Sequence, residues 1–161
     1  FKSSRSSAAE PRQFGGQLGF ANESLGFGFG VRVSSGIPLP VSGIGVLGTF
    51  DVFLGSPSVE DPTGAKVDTS GHAFQIGLFP TYSYAFGDIR AYAGAGLSML
   101  RSSYSFEFEG LPKEDASKTF TSLGLVTGAK FKDRFFGEVR YQFGDGKHLA
   151  VAAGVLFNSP W

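Results

Sequence analysis

The sequence predicts an all-β chain, an eight-stranded antiparallel up-and-down transmembrane β-barrel. Three observations predict it. Apolar residues recur with a period of two along most of the chain. Turn residues cut the chain into segments of similar length. The composition joins 18 Phe to 24 Gly within 161 residues, a pairing that an ordinary soluble core does not need.

The length fits one domain. Residues 1–13 are Ser-rich, lack the apolar core of a signal peptide and read as a flexible N-terminal lead; residues 14–161 read as the barrel. With 14 Lys+Arg against 14 Asp+Glu, the balance argues against a nucleic-acid partner and against an acidic disordered tail. The absence of Cys removes disulfides, thiolate zinc sites and cysteine nucleophiles together. The longest apolar run, Leu149–Phe157, falls far short of the roughly 18 residues that a membrane helix needs.

The elements follow in order. Phe14–Ala21 sets Phe14, Leu18 and Phe20 against Gly15, Gln17 and Gly19. After a tight Asn22-Glu23-Ser24 turn, Leu25–Ser34 places Leu25, Phe27, Phe29, Val31 and Val33 on one face and Gly26, Gly28, Gly30 and Arg32 on the other, and three such glycines exclude a helix. A Pro-rich connector, Gly36–Gly43, leads to Ile44–Leu54, with Gly45 and Asp51 on its polar face. A long polar loop from Gly55 to Gly71 precedes Ala73–Phe86, whose polar face carries Gln75 and Gly77. The tight Gly87-Asp88 turn opens Ile89–Arg101, extended in alternating pattern to about Glu109, and a second long acidic loop covers Ser102 to Lys118. Thr119–Phe131, the turn Lys132-Asp133-Arg134, Phe135–Phe143, the turn Gly144–Lys147 and His148–Phe157 complete the set. With strands running up and down, both long loops emerge at one end.

An alternating strand suits a soluble barrel as well as a membrane barrel, so the composition of the second face decides. Most strand glycines share that face with the charges, Gly15, Gly28, Gly96 and Gly128 among them; only Gly16, Gly48 and Gly137 lie with the apolar set. A solvated exterior favours Thr, Lys and Glu, because Gly there costs backbone entropy and packs nothing. The narrow lumen of an eight-stranded barrel has the opposite need, small residues interleaved with a few long ones. The long ones are Gln17, Arg32, Asp51, Gln75, Arg90, Lys130, Glu138, Arg140 and Gln142, and their opposite charges are available to pair. On the apolar face, Phe14, Tyr84, Phe86, Phe131, Phe135 and Phe157 fall at one rim and Phe20, Phe27, Phe74, Tyr141 and Phe143 toward the other, as two aromatic belts.

The chain resembles the small eight-stranded outer-membrane barrels of bacteria, the OmpA/OmpX and opacity-protein kind. The resemblance rests on Arg90-Ala91-Tyr92-Ala93-Gly94-Ala95-Gly96-Leu97 after a tight turn, on Phe136-Gly137-Glu138-Val139-Arg140-Tyr141, and on Leu149–Phe157 as the last strand. It implies residence in the bacterial outer membrane, with membrane lipid and lipopolysaccharide or an equivalent outer-leaflet lipid as partners. It also implies a C-terminal aromatic read by the barrel-assembly machinery, here Phe157 or Trp161.

Related barrels that are enzymes need chemistry this sequence lacks. A lipid A deacylase needs a His with a Ser two residues on, whereas His72 is followed by Ala73-Phe74 and His148 by Leu149-Ala150. The palmitoyl-transferring kind needs a sizeable first outer loop, and the protease kind needs ten strands. The expectation is no enzyme, no cofactor and no resident metal. Acidic residues of the long loops, Glu60, Asp61 and Asp68 in one and Glu107, Glu109, Glu114 and Asp115 in the other, form a candidate site for a divalent cation, and a solvated loop is the bland alternative. Gly26-x-Gly28-x-Gly30 has no phosphate cradle, since no helix follows it.

The expected function is that of a structural, surface-exposed barrel with a side-chain-filled lumen, serving envelope integrity, adhesion or binding of a surface ligand through loops 55–71 and 102–118. The stretch Ser103–Glu109 continues the alternation beyond membrane length and predicts a projecting hairpin whose free edge accepts a partner strand. The alternatives are a small-conductance, porin-like channel, a soluble lipocalin-type barrel with Phe inward, and a lipid-modifying enzyme.

Overall fold

The structure, a computed structural model, describes residues 11–22, 25–37, 43–54, 59–60, 66–67, 69–106 and 114–160. Ten strands result: β1 (Gln13–Ala21), β2 (Gly26–Gly36), β3 (Ile44–Leu54), β4 (Val59–Glu60), β5 (Lys66–Val67), β6 (Thr69–Phe86), β7 (Ile89–Phe106), β8 (Glu114–Phe131), β9 (Phe135–Gln142) and β10 (His148–Asn158). Eight of them form one closed antiparallel barrel in the order β1-β10-β9-β8-β7-β6-β3-β2, and β4 and β5 make a separate short pair. Closure runs from Gln13 opposite Asn158 to Ala21 opposite Ala150, so the barrel has no open edge at its seam.

The inside-out distribution of exposure identifies the medium. Phe20 and Leu123 are 61% and 64% exposed, whereas Arg32 and Lys130 are 1% and 3% exposed. An aqueous exterior would reverse that order. Outward apolar side chains on every barrel strand form a band suited to lipid, and aromatic pairs such as Phe14 with Phe157 and Tyr141 with Phe143 lie at its two margins.

Glycine makes the narrow lumen possible. A Cβ on Gly128 would stand 2.7 Å from the Tyr92 hydroxyl and 2.8 Å from Glu138 Cβ, and one on Gly77 would stand 2.5 Å from the Phe79 ring. The outward Gly16 and Gly137 face open space. At the short-turn end, Lys132 (φ 51°) and Asp133 (φ 50°) both adopt left-handed backbone, the two-residue turn whose twist matches a hairpin.

Several expected boundaries move. Gln13, expected in the lead, is the first residue of β1 and is fully buried, because its side chain closes the inner mouth of the lumen. Leu25 does not share the outward face of Phe27; it is buried, since Leu25 closes the turn from Asn22 and the left-handed backbone of Gly26 (φ 70°) breaks the alternation before Phe27. The expected loop 55–71 contains β4 and β5 and ends inside β6. β7 runs on to Phe106, as the alternation beyond Arg101 predicts, and residues 114–118, expected as loop, are strand, with Glu114 opposite Phe106. Their polar composition reads as loop locally, but ladder pairing with β7 overrides it.

Candidate functional site

Inward positions of β2, β3, β7 and β9 converge on one ionic cluster at mid-lumen. Arg32 Nη1 donates to Glu138 Oε2 at 2.6 Å, and the Tyr92 hydroxyl donates to the same oxygen at 2.6 Å. Arg140 Nη1 donates to Asp51 Oδ2 at 2.5 Å and to Thr49 Oγ1 at 3.3 Å, while its Nε lies 3.1 Å from Glu138 Oε1. Gln17 Nε2 donates to Asp51 Oδ1. The Arg32 guanidinium is also stacked 4.0 Å from the centroid of Phe136. Glu138 thus bridges two guanidiniums across the barrel and Asp51 pairs with the second of them, and such pairing is what makes burial of four charges tolerable.

Polar layers continue to either side. Toward the inner mouth, Lys130 Nζ donates to Gln13 Oε1 at 2.9 Å and to Ser34 Oγ at 3.3 Å. Toward the outer mouth, Gln75 Nε2 donates to Ser98 Oγ at 3.3 Å, and Ser98 Oγ donates to Gln142 Oε1 at 2.6 Å. His148 Nε2 lies 3.3 Å from Gln75 Oε1, and its Nδ1 lies 2.8 Å from the Gly146 carbonyl. Apolar clusters pack among these layers: Leu47, Phe79, Tyr92 and Val126 in one, and Ala21, Leu25, Phe53, Ala73, Leu100 and Ala150 in another, against which Phe120 packs.

Of the residues named from sequence, Gln17, Arg32, Asp51, Gln75, Lys130, Glu138, Arg140 and Gln142 are all buried in the lumen. Arg90 shares their parity but sits at the inner rim, where its Nε meets Asp133 Oδ1 of the β8–β9 turn at 3.2 Å, so it stands outside the cluster. Sequence reasoning missed Gln13, Tyr92, Phe53, Phe79 and Phe136. Parity was a usable signal for Tyr92, which alternates in step with Arg90, Gly94 and Gly96; for the inward Phe residues the signal was masked by the many Phe facing out. His72 is exposed on the outward face of β6, whereas His148 lies inside, so the barrel wall separates the two histidines.

The loop acids Asp61, Asp68, Glu107 and Glu109 lie outside the described residues, as do the side chains of Glu60, Glu114 and Asp115. Phe157 is outward and half-exposed near the end of β10, and Trp161 lies outside the described residues.

A second feature stands at the outer end. β6 pairs with β7 from Thr69, and β7 pairs with β8 as far as Glu114. By contrast β3 reaches only Ala73 of β6, and β9 reaches only Gly124 of β8. Beyond the barrel, β6, β7 and β8 therefore continue as a three-stranded sheet, and no described strand covers the edge of β8 from Glu114 to Ser122.

No protein-family model matches the sequence, and no curated protein is significantly similar to it. Solved structures do match. Neisserial surface protein A superposes with a TM-score of 0.61 at 20% identity, covering 92% of this chain and 96% of that one. The N-terminal β-barrel domain of Pseudomonas aeruginosa OprF gives 0.61 at 13% identity, over 94% and 100%. A major outer membrane protein from Thermus thermophilus gives 0.59 at 14% identity, over 93% and 100%. Closed topology, an apolar exterior and these likenesses agree: the chain has the fold of the small eight-stranded outer-membrane β-barrels of bacteria.

Proposed function

We propose that the chain is a non-enzymatic resident of the bacterial outer membrane whose barrel anchors and displays the projecting β6–β8 sheet as a surface for binding or adhesion. The observation that carries this reading is the uncovered edge of β8. Past Leu123, whose carbonyl still accepts from the Phe143 N–H, the edge-facing backbone groups of β8 from Glu114 to Ser122 have no strand partner among the described residues, and an extended segment of another protein satisfies such an edge by strand addition. The interior supports anchoring over transport. Arg32, Glu138, Arg140 and Asp51 are tied to one another across the lumen, with apolar clusters beside and above them, and a steady pore needs a continuous water path.

Two measurements test the reading. Bacteria displaying the chain should adhere to immobilised matrix proteins better than cells carrying an empty vector, and deletion of residues 105–118 should abolish the gain while the barrel still folds in lipid. Equal adhesion with and without the segment would refute the display role. In planar bilayers the chain should give no large, steady conductance; such a conductance would instead establish the porin-like reading.

A further inference from the structure

The outward face changes character across β6, β7 and β8 as the strands leave the apolar band. Successive cross-strand rows read Leu78, Leu97 and Leu123; then Ile76, Met99 and Thr121; then Phe74, Arg101 and Thr119; then His72, Ser103 and Ser117. Within these rows the surface passes from aliphatic to cationic and hydroxyl-bearing, with Arg101, His72, Thr119, Thr121 and Ser117 all exposed. The outer margin of the other strands stays apolar, with Phe20, Phe27, Leu54, Tyr141 and Leu149 exposed there. No acidic side chain occupies these four rows, and Arg101 has no ion pair or hydrogen-bond partner among the described residues.

Arg101 is therefore a guanidinium on the lipid-facing side with no partner among the described residues, directly opposite the belt residue Phe74. A charge so placed reaches toward the headgroup layer rather than remain against hydrocarbon. The headgroup chemistry that matches it is phosphate, which a guanidinium binds through two parallel N–H donors and which hydroxyl and imidazole donors can supplement. The Phe74 ring beside it suits the junction where acyl chains meet the headgroup.

We propose that this face binds the phosphate of an outer-leaflet phosphoglycolipid, with Arg101 as the principal ligand and Thr119, Ser117 and His72 as flanking donors. The proposal rests on the membrane reading of the barrel exterior and adds to it a lipid-specific site on one side of the barrel. Such a site would hold the projecting sheet at a fixed tilt against the leaflet that it crosses.

The test is native mass spectrometry of the full chain, refolded in detergent and incubated with bis-phosphorylated lipid A or with the same lipid after removal of both phosphates. The phosphorylated form should be retained about tenfold more, as expected for a charge-assisted contact. Arg101→Gln should reduce that retention to the level of the dephosphorylated lipid, Arg101→Lys should retain an intermediate amount, and Lys147→Gln, at the β9–β10 turn, should behave as the parent. The exposure of Arg101 means that its variants should fold, which gel mobility with and without heating verifies. Equal retention of the two lipid forms, or an unchanged Arg101→Gln variant, overturns the site, as does an equal loss with Lys147→Gln, which would make the effect one of general charge. A chain that folds and stays soluble without detergent would instead overturn the membrane reading itself.

Discussion

Glu138 and Arg32 meet at 2.6 Å in the centre of the lumen, and Glu138 uses its other oxygen to meet Arg140 at 3.1 Å. One carboxylate thus serves two guanidiniums. Glu138→Gln should lower stability by about 3–5 kcal/mol, because it leaves Arg32 and Arg140 with Asp51 as the sole carboxylate in the cluster. Arg32→Met should cost less, since Glu138 keeps Arg140 and the methionine still packs on Phe136. Urea midpoints in phospholipid vesicles rank the two variants, and an equal or reversed ranking would contradict the shared-carboxylate arrangement.

Parity should decide the fate of glycine substitutions. Gly128→Val pushes methyl groups into Tyr92 and Glu138 and should cost at least about 1–3 kcal/mol or block closure. Gly137→Val, on the open outward side of the neighbouring strand, should change stability by less than about 0.5 kcal/mol. The heat-modifiable fraction on gels reports both, and a folded Gly128→Val barrel of parental stability would show that the lumen has slack.

Lys132 carries a left-handed backbone without the freedom of glycine. Replacing it with Gly should remove a steric penalty of about 1 kcal/mol and raise the unfolding midpoint. Gly87→Ala, at φ 63° in the β6–β7 turn, should do the opposite by a similar amount. A fall in midpoint for Lys132→Gly would mean that its side chain, placed 5.3 Å over the Phe131 ring, outweighs the backbone cost.

Leu97 is 59% exposed on the outward face of β7, between Ala95 and Met99. On a water-facing surface, Leu97→Arg would be nearly neutral. Facing hydrocarbon, it should cost about 2–4 kcal/mol. Vesicle-based unfolding of this single variant therefore reads out the medium around the barrel.

The local signals in the chain are those that depend on period and sterics. Alternation placed Phe27, Phe29, Val31 and Val33 on one face and Arg32 on the other, and the concentration of glycine beside Arg32, Lys130 and Glu138 marked that face as the crowded one. Strand number, the turns at Gly87-Asp88 and Lys132-Asp133, and the outward orientation of the belts follow from the same period. Parity cannot say how far along the lumen a residue sits. Arg90 and Lys130 are cross-strand partners, yet Arg90 pairs with Asp133 at the rim and Lys130 reaches inward to Gln13 and Ser34. Nor can it say which charges meet, because Arg32 and Glu138 are separated by 106 residues and come together only when β1 closes on β10. Register and closure also decided that β8 outruns β9 and has no described partner strand on that edge from Glu114 to Ser122, since the Ser- and Lys-containing segments there become strand through ladder pairing rather than through their own propensity. Which way each face points was legible in the order of residues alone, because a one-residue parity error would invert every side chain. Which side chains meet across the barrel, and where the sheet outgrows it, emerged from the closed fold, because both depend on stagger between strands remote in the chain.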